Sequence, residues 1–319
     1  MSITFIARAD GQEAAFLFTG QGAQSVGMGQ QLFDESPAAK LVFQQIDYAL
    51  GRSLTDVMFN GPEDVLRQTI NAQPGILAVS LACVKAMEET LGPEAMPRPV
   101  MPAGHSLGEY TALAVAGVLD IGDAAILVQR RGELMQEACD KNPGTMAAIL
   151  GLDESVIEDI VRETGIFISN INTAEQVVIS GEVSGVASAC DLALENGARK
   201  AIPLNVGGAF HSGRMEPAVA DLAGTINDTE FHDPNIPVIA NCTAIPLASI
   251  SEVKAELISQ VCSCVQWKRT VDYMIDEGIT EFIEIGPGKA LSGMVKRISR
   301  DANVKAVSDM AGILNLTSD

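Results

Sequence analysis

Residues 100–108 read VMPAGHSLG and join a predicted strand to a predicted helix. The apolar residues 100–103 predict a buried strand, and an alanine- and leucine-rich helix is predicted directly after it. Between them, Gly104-His105-Ser106-Leu107-Gly108 matches the G-x-S-x-G pattern of a nucleophile elbow, in which a sharp turn lifts a serine out of the sheet. Ser106 is therefore the candidate nucleophile. The alternative is a serine that caps a helix after a tight turn.

Strands and helices alternate on both sides of this segment. Residues 14–18 and 281–285 predict strands, whereas residues 73–91 and 120–139 predict helices. Such alternation is typical of an α/β fold in which helices cover a parallel sheet. The length of 319 residues allows roughly two domains at about 150 residues each.

A different pattern occupies the middle of the chain. Residues 145–205 predict the element order βαββαβ, which is the split βαβ arrangement of ferredoxin-like folds. We therefore expect a small ferredoxin-like subdomain at 142–207, inserted into a larger catalytic subdomain formed by 1–141 and 208–319.

The charge balance narrows the range of partners. The formal net charge is −20, and a surface of this sign repels phosphate backbones and anionic lipids. Nucleic acid and membrane are therefore not expected as partners. An acidic protein partner would need a local basic patch, and the densest one late in the chain comprises Lys289, Lys296, Arg297 and Arg300.

The cysteines indicate neither a metal site nor a disulfide framework. The six cysteines form no C-x-x-C pair, and no histidine or cysteine group follows at zinc-ligand spacing. The N-terminal residues lack the apolar core of a secretory signal, and we identify no membrane span. We expect a monomer in a reducing cytoplasm, without a bound metal.

A serine nucleophile needs a base, and the chain offers three histidines. His105 adjoins Ser106, but neighbouring side chains at such a turn diverge. His232 lies in a predicted surface turn. His211 follows the small residues of Gly207-Gly208-Ala209 and is the preferred candidate, although a lone histidine is more often structural.

Two glycine-rich turns are poor cofactor motifs. Gly20-Gln21-Gly22 lacks the third glycine of a dinucleotide fingerprint, because Ser25 stands there. Gly286-Pro287-Gly288-Lys289 could hold a phosphate at a helix start or could be a plain strand–helix turn.

Four segments together resemble malonyl-CoA:acyl carrier protein transacylases and the related acyltransferase domains of polyketide synthases. They are Phe18-Thr19-Gly20-Gln21-Gly22-Ala23-Gln24, Gly104 to Tyr110, Gly208-Ala209-Phe210-His211-Ser212 and Val265-Gln266-Trp267. The resemblance runs in family order from about residue 14 to residue 300. It implies an α/β-hydrolase-like core with a ferredoxin-like subdomain, and the site in the cleft between them.

The resemblance also implies a mechanism. Ser106 accepts the malonyl group with His211 as base, and the phosphopantetheine thiol of holo acyl carrier protein then takes it. The backbone N–H groups of Gln21 and Leu107 form the oxyanion hole, and an oxygen near the position of Gln266 orients the histidine. Malonyl-CoA is a substrate, and no resident cofactor is implied. The carrier protein could serve fatty acid or polyketide synthesis.

Arg131 and Phe210 complete the predicted substrate site. Arg131 falls in the apolar stripe of the helix predicted at 120–139, and a buried arginine needs an anion. A structural salt bridge is the general explanation, whereas the resemblance implies that Arg131 pairs with the malonyl carboxylate. A phenylalanine at the position of Phe210 accompanies malonyl preference in related domains.

Two other functions use the same fold. A serine hydrolase such as a thioesterase normally has an acid after the serine and a late histidine, but about a hundred residues follow His211 and no aspartate stands out. A non-catalytic docking protein would have no use for an intact set of Ser106, His211, Arg131 and Gln266.

Overall fold

Four parallel strands form the sheet that carries the Ser106 segment. The computed structural model describes residues 12–317. Within that range the strands are β1 (Glu13–Phe18), β2 (Arg98–Gly104), β3 (Thr145–Leu150), β4 (Phe167–Thr173), β5 (Gln176–Gly181), β6 (Lys200–Pro203), β7 (Val238–Ile239), β8 (Pro246–Leu247), β9 (Glu281–Ile285) and β10 (Asn303–Val307). The main sheet has the order β10-β9-β1-β2, and all its neighbours are parallel.

Helices cover this sheet. In chain order the described α-helices are α1 (Gln30–Glu35), α2 (Pro37–Leu50), α3 (Leu54–Asn60), α4 (Glu63–Arg67), α5 (Thr69–Ala95), α6 (Gly108–Val115), α7 (Ile121–Lys141), α8 (Glu154–Thr164), α9 (Val183–Glu195), α10 (Glu216–Asp228), α11 (Ile250–Gln260), α12 (Trp267–Asp276), α13 (Ala290–Ile298) and α14 (Met310–Leu314). Helix α5 packs between α2 and α7 in the largest apolar cluster.

Helix α5 is the one described helix long and apolar enough to cross a membrane by length and composition, yet 89% of its most apolar window is buried in the fold. That burial is typical of a core helix in a folded domain. The predicted stop at Gly92 appears as a break, because Gly92 has the non-helical values φ 64° and ψ 178° and only a short second segment follows.

The second sheet is antiparallel and has the order β4-β5-β3-β6. Its strands alternate between two buried faces. Ile149 and Ile179 pack under helices α8 and α9, whereas Met146, Ala148 and Val178 belong to the main core. With its two helices this sheet has the predicted order βαββαβ. The predicted α/β-hydrolase-like core with a ferredoxin-like subdomain is thereby confirmed.

The second sheet and its helices occupy Thr145–Pro203 and fall inside the predicted range 142–207. The division at these boundaries stays a prediction. Residues 1–11 and 318–319 of the predicted larger subdomain lie outside the described residues.

Two parts of the main fold differ from the sequence interpretation. The alternation predicted for the main fold is interrupted at Val238–Ile239, which pairs with Pro246–Leu247 in a small antiparallel sheet instead of joining the parallel one. Strand β10 was not expected. It is a five-residue edge strand that contains Lys305, so its apolar pattern is weak.

Candidate active site

The turn between β2 and α6 presents the hydroxyl of Ser106. Ser106 has a φ of 53°, in the left-handed region that non-glycine residues rarely adopt. A Cβ atom on Gly104 would lie 1.8 Å from the carbonyl carbon of Gly108, and one on Gly108 would lie 2.1 Å from the carbonyl oxygen of Phe18. The close packing of strand and helix therefore requires both glycines of the G-x-S-x-G segment.

The base candidate reaches this hydroxyl from a distant loop. Nε2 of His211 lies 2.7 Å from Oγ of Ser106. The glycine-rich run before His211 packs closely, since a Cβ atom on Gly208 would lie 2.0 Å from Sγ of Cys139. The structure thus brings together the two residues selected from the sequence, at a distance suited to proton transfer.

The oxygen that orients His211 differs from the expectation. Nδ1 of His211 lies 2.9 Å from the backbone carbonyl oxygen of Gln260. This carbonyl lies six positions before Gln266, and the side chain of Gln266 itself accepts a hydrogen bond from Arg269. Both sequence neighbours of Gln266 are buried, and its own side chain points toward the surface instead.

The environment of His211 keeps its imidazole neutral. Burial, and next the positive charge of Arg131, lowers the pKa of His211 from 6.5 to about 3. The carbonyl of Gln260 opposes this shift but does not overcome it. A neutral imidazole with Nδ1 bonded to a carbonyl carries its proton on Nδ1, which leaves Nε2 free to accept the proton of Ser106.

The other two histidines have structural contacts. Nε2 of His105 lies 3.0 Å from Oδ1 of Asn172, and its ring packs against Trp267 with 5.6 Å between centroids. His232 is exposed, and its backbone N–H donates to the carbonyl of Val118. Neither contacts the hydroxyl of Ser106 among the hydrogen bonds of the described chain.

A buried guanidinium lies beside the nucleophile. Arg131 is 1% exposed, and its Nη2 lies 3.2 Å from Oγ of Ser106. Its other acceptors are neutral amides, namely Oε1 of Gln73 at 2.7 Å and Oε1 of Gln260 at 2.8 Å. Nε has no hydrogen-bond partner, and no carboxylate in residues 12–317 forms a salt bridge with Arg131. The salt-bridge explanation for Arg131 is therefore not supported, and the charge is available to an anion.

The predicted oxyanion hole consists of the backbone amides of Leu107 and Gln21. Leu107 stands at the N-terminus of α6, where the N–H groups of Gly108 and Glu109 donate to the carbonyls of His105 and Ser106. The turn that holds Gln21 packs on the elbow, since a Cβ atom on Gly20 would lie 2.5 Å from the carbonyl oxygen of His105. No described residue accepts a hydrogen bond from the backbone N–H of Leu107 or of Gln21. Both amides are free to donate to a substrate oxygen.

Phe210 is packed next to the base. It is 8% exposed and belongs to the main apolar cluster. Its carbonyl oxygen accepts a hydrogen bond of 2.9 Å from Oγ of Ser169 on β4. The strand of the smaller sheet thereby holds the segment that precedes His211.

Three polar residues of the site were missed from the sequence. Gln73 and Gln260 both contact Arg131. Asn241 holds the elbow, because its Oδ1 accepts from the N–H of Ser106 at 2.7 Å and its Nδ2 donates to the carbonyl of Gly104 at 2.8 Å. Each stands within or at the end of an apolar run, and a buried polar side chain in such a run is the signal that could have identified them.

The glycine-rich turn before α13 does not offer a free helix start. The carboxylate of Glu284 accepts hydrogen bonds from the N–H of Leu291 at 3.1 Å and of Ser292 at 2.7 Å. An internal anion already occupies the place that a phosphate would take. The structure therefore supports the plain strand–helix turn for Gly286-Pro287-Gly288-Lys289.

The predicted basic cluster is exposed on and beside α13. All four residues are exposed, but the ammonium of Lys296 donates to the carbonyl of Ala302 at 2.6 Å. Arg297 and Arg300 therefore have the more available charges. In the part of the chain described, no group of three His, Cys, Asp or Glu side chains could hold a metal ion.

Most of the chain is similar to known acyltransferases. Residues 15–315 match the family model of the acyl transferase domain. The malonyl CoA-acyl carrier protein transacylase of Bacillus subtilis is 43% identical over 92% of this chain and 93% of its own length. The protein of the same name from Haemophilus influenzae is 40% identical over 93% of this chain and 96% of its own length.

Solved structures agree with these relatives. The crystal structure of acyl-carrier-protein-S-malonyltransferase from Bartonella henselae superposes with a TM-score of 0.91 at 39% identity, covering 95% of this chain and 98% of that chain. A malonyl-transacylase in complex with its type II PKS acyl-carrier protein also has a TM-score of 0.91, at 36% identity, covering 96% of this chain and 99% of that chain.

Proposed function

The chain belongs to the acyl transferase domain family and, within it, to the malonyl CoA-acyl carrier protein transacylases, and we propose that it moves malonyl from coenzyme A to a carrier protein through an ester on Ser106. One observation carries the proposal. The hydroxyl of Ser106 lies 2.7 Å from a neutral histidine nitrogen and 3.2 Å from a buried guanidinium. The first contact suits acyl transfer, and the second suits an acyl group that ends in a carboxylate.

The first half-reaction forms the acyl-enzyme. Oγ of Ser106 attacks the thioester carbonyl of malonyl-CoA while Nε2 of His211 takes the hydroxyl proton. The carbonyl oxygen becomes an oxyanion, and the free N–H groups of Leu107 and Gln21 stabilise it. The tetrahedral intermediate then expels the coenzyme A thiolate, which receives the proton from His211.

The second half-reaction reverses the chemistry with another thiol. The phosphopantetheine thiol of holo carrier protein gives its proton to Nε2 of His211 and attacks the ester carbonyl. When this intermediate collapses, the C–O bond to Ser106 breaks and His211 returns the proton to Oγ. The carrier protein leaves as a malonyl thioester, and the protein regains its starting state, as a ping-pong mechanism requires.

Arg131 supplies the preference for malonyl. An arginine fork matches a carboxylate with two parallel hydrogen bonds, and its neutral neighbours leave its charge uncompensated by direct contact. Phe210, packed beside His211, limits branching next to the reacting carbonyl. No resident cofactor takes part, because coenzyme A enters and leaves as a substrate.

The setting of the reaction is also part of the proposal. The complex of a similar malonyl-transacylase with its acyl-carrier protein supports a carrier protein as partner. We place the chain as a monomer in the cytoplasm, in fatty acid or polyketide synthesis, where a malonyl carrier is consumed. All six cysteines are free, which agrees with a reducing compartment.

A two-step labelling experiment tests the function. Purified protein is mixed with radiolabelled malonyl-CoA, separated from it, and then incubated with holo or apo carrier protein. We expect label to appear on the holo carrier protein alone. Release of free malonate would indicate a thioesterase, and an unlabelled protein would indicate a docking function without catalysis.

A further inference from the structure

Glu109 is a buried carboxylate that the proposed mechanism does not use. It lies in the first turn of α6, three positions after the nucleophile, and is fully buried. Its Oε1 accepts the backbone N–H of Asn241 at 2.8 Å, and its Oε2 accepts from Nε2 of Gln260. Burial, and next the charge of Glu256, raises the pKa of Glu109 well above its usual value, whereas the donors Asn241 and Gln260 and the charge of Arg131 favour the ionised form that accepts hydrogen bonds.

Gln260 connects this carboxylate to the groups of the reaction centre by hydrogen bonds. Nε2 of Gln260 also donates to the carbonyl of Ser106 at 2.9 Å, and its Oε1 accepts from Arg131 at 2.8 Å. The backbone carbonyl of the same residue orients His211. One glutamine therefore links nucleophile, base and guanidinium.

The orientation of the Gln260 side-chain amide decides whether its oxygen or its NH₂ group faces the guanidinium of Arg131. An amide can be turned by 180° with little change in shape, so its neighbours set its direction. Acceptors on Ser106 and Glu109 hold the NH₂ group on one side, and the oxygen then faces the guanidinium. A reversed amide would place donor against donor at Arg131.

We propose that Glu109 is a positioning residue that sets the direction of the Gln260 amide and thereby aims Arg131 at the acyl carboxylate. The inference rests on the proposed malonyl transfer. Its effect is on selectivity between a malonyl and an acetyl group, because acetyl has no carboxylate for Arg131 to meet.

Replacement of Glu109 by glutamine nearly keeps the size of the side chain but changes the group that faces Gln260 from an acceptor to a donor. The backbone N–H of Asn241 cannot turn, because its side chain is bonded to both Gly104 and Ser106. A glutamine must therefore offer its oxygen to Asn241 and its NH₂ group to Gln260. The Gln260 amide then faces a donor and is driven to reverse.

Glu256 provides the matched control. It is 6% exposed, and its Oε1 accepts the N–H of Cys242 at 2.9 Å. It makes no hydrogen bond to Gln260 or Arg131 in the described chain. Glu256→Gln makes the same isosteric change at another buried carboxyl and leaves the hydrogen bonds of the Gln260 amide in place.

The experiment measures steady-state acyl transfer from malonyl-CoA and from acetyl-CoA to holo carrier protein, and reports kcat and KM separately for each substrate. We expect Glu109→Gln to lower the malonyl-to-acetyl ratio of specificity constants about tenfold, mainly through a higher KM for malonyl-CoA. Glu256→Gln should keep the ratio within about twofold of the unaltered protein. In an Arg131→Ala background, Glu109→Gln should change the ratio no further, since the two residues act as one unit.

Three results overturn the inference. They are an unchanged ratio in Glu109→Gln, an equal loss in Glu256→Gln, and a full additional loss in the Arg131→Ala background. If Glu109→Gln does not fold, Gln260→Met decides, because it removes the amide and keeps the backbone carbonyl; retention of the ratio there contradicts the inference. An unaltered protein that malonyl-CoA does not acylate overturns the proposed function as well, whereas normal acylation with an unchanged ratio overturns the inference alone.

Discussion

Nδ1 of His211 lies 2.9 Å from the backbone carbonyl oxygen of Gln260, so a peptide group orients the imidazole where many serine enzymes use a carboxylate. A carbonyl carries no net charge and gives the imidazolium less stabilisation than an aspartate does. Burial and the charge of Arg131 therefore lower the pKa of His211 to about 3. The base is ready to accept a proton throughout the neutral range.

A titration of the imidazole resonances tests this consequence. Between pH 8 and pH 5 we expect the Hε1 and Cε1 signals of His211 to stay at neutral values, and His211→Gln identifies them. The unfolded chain protonates His211 below about pH 6.5, whereas the folded protein protonates it only near pH 3. The contribution of this group to the free energy of unfolding is therefore fully present above pH 6.5 and is lost as the pH falls toward 3. A titration midpoint near 6.5 in the folded protein would contradict the account.

Arg131→Ala tests the carboxylate preference. A charged hydrogen bond is worth roughly 1.5–3 kcal/mol, so loss of the guanidinium should lower the specificity constant for malonyl-CoA by at least about tenfold. Acetyl transfer should be equal or improved, and Arg131→Lys should rescue only part of the malonyl rate, because lysine lacks the fork. The measurement is the ratio of the two specificity constants. An equal fall for both substrates would assign Arg131 a structural role.

Phe210→Ser tests the tolerance for a branched acyl group. A methyl group pushed against a packed ring costs about 1–3 kcal/mol, so removal of the ring should narrow the malonyl-to-methylmalonyl ratio. Phe231→Ser is a matched control, because both rings are 8% exposed and only Phe210 adjoins the base. If the two variants change the ratio alike, selectivity against branching does not depend on Phe210.

Charge reversal at Arg297 and Arg300 tests the docking surface. Both side chains are exposed, Arg297 in the last turn of α13 and Arg300 just after it, and an acidic carrier protein would be attracted to them. The double variant to glutamate should raise the KM for carrier protein about fivefold, equivalent to roughly 1 kcal/mol, and leave the KM for malonyl-CoA unchanged. The difference should shrink at high salt.

Arg162→Glu supplies the control for this test, since it reverses an exposed charge on α8. An equal change for both substrates, or the same change in the control variant, would place carrier-protein docking elsewhere.

The sequence predicted those features that depend on local chemistry. The elbow followed from two glycines and a serine between a strand and a helix, and Arg131 followed from its place in an apolar stripe. The structure places Ser106, His211 and Arg131 together, although they come from three separate segments. Short edge elements were harder to predict, because strand β10 has only five residues and Lys305 interrupts its apolar run.

The orienting oxygen could not be identified from residue types. The contact to His211 uses the backbone carbonyl of Gln260, an atom that every residue carries, so no side-chain pattern distinguishes it from a carbonyl near Gln266. The same holds for the backbone amides of Leu107 and Gln21. Contacts of this kind depend on how the chain folds in space, and the network of Glu109, Asn241 and Gln260 was missed for that reason.

Mass spectrometry of the acyl-enzyme tests the central claim, which is that malonyl passes through the hydroxyl of Ser106. The protein is mixed briefly with malonyl-CoA and quenched, and its intact mass and peptides are measured. We predict one malonyl adduct on the peptide that contains Ser106 and its loss on addition of holo carrier protein. Ser106→Ala should form no adduct, and His211→Ala should form it about 10²–10⁴ times more slowly. An adduct that persists in Ser106→Ala, or malonyl transfer without any adduct, would contradict the account.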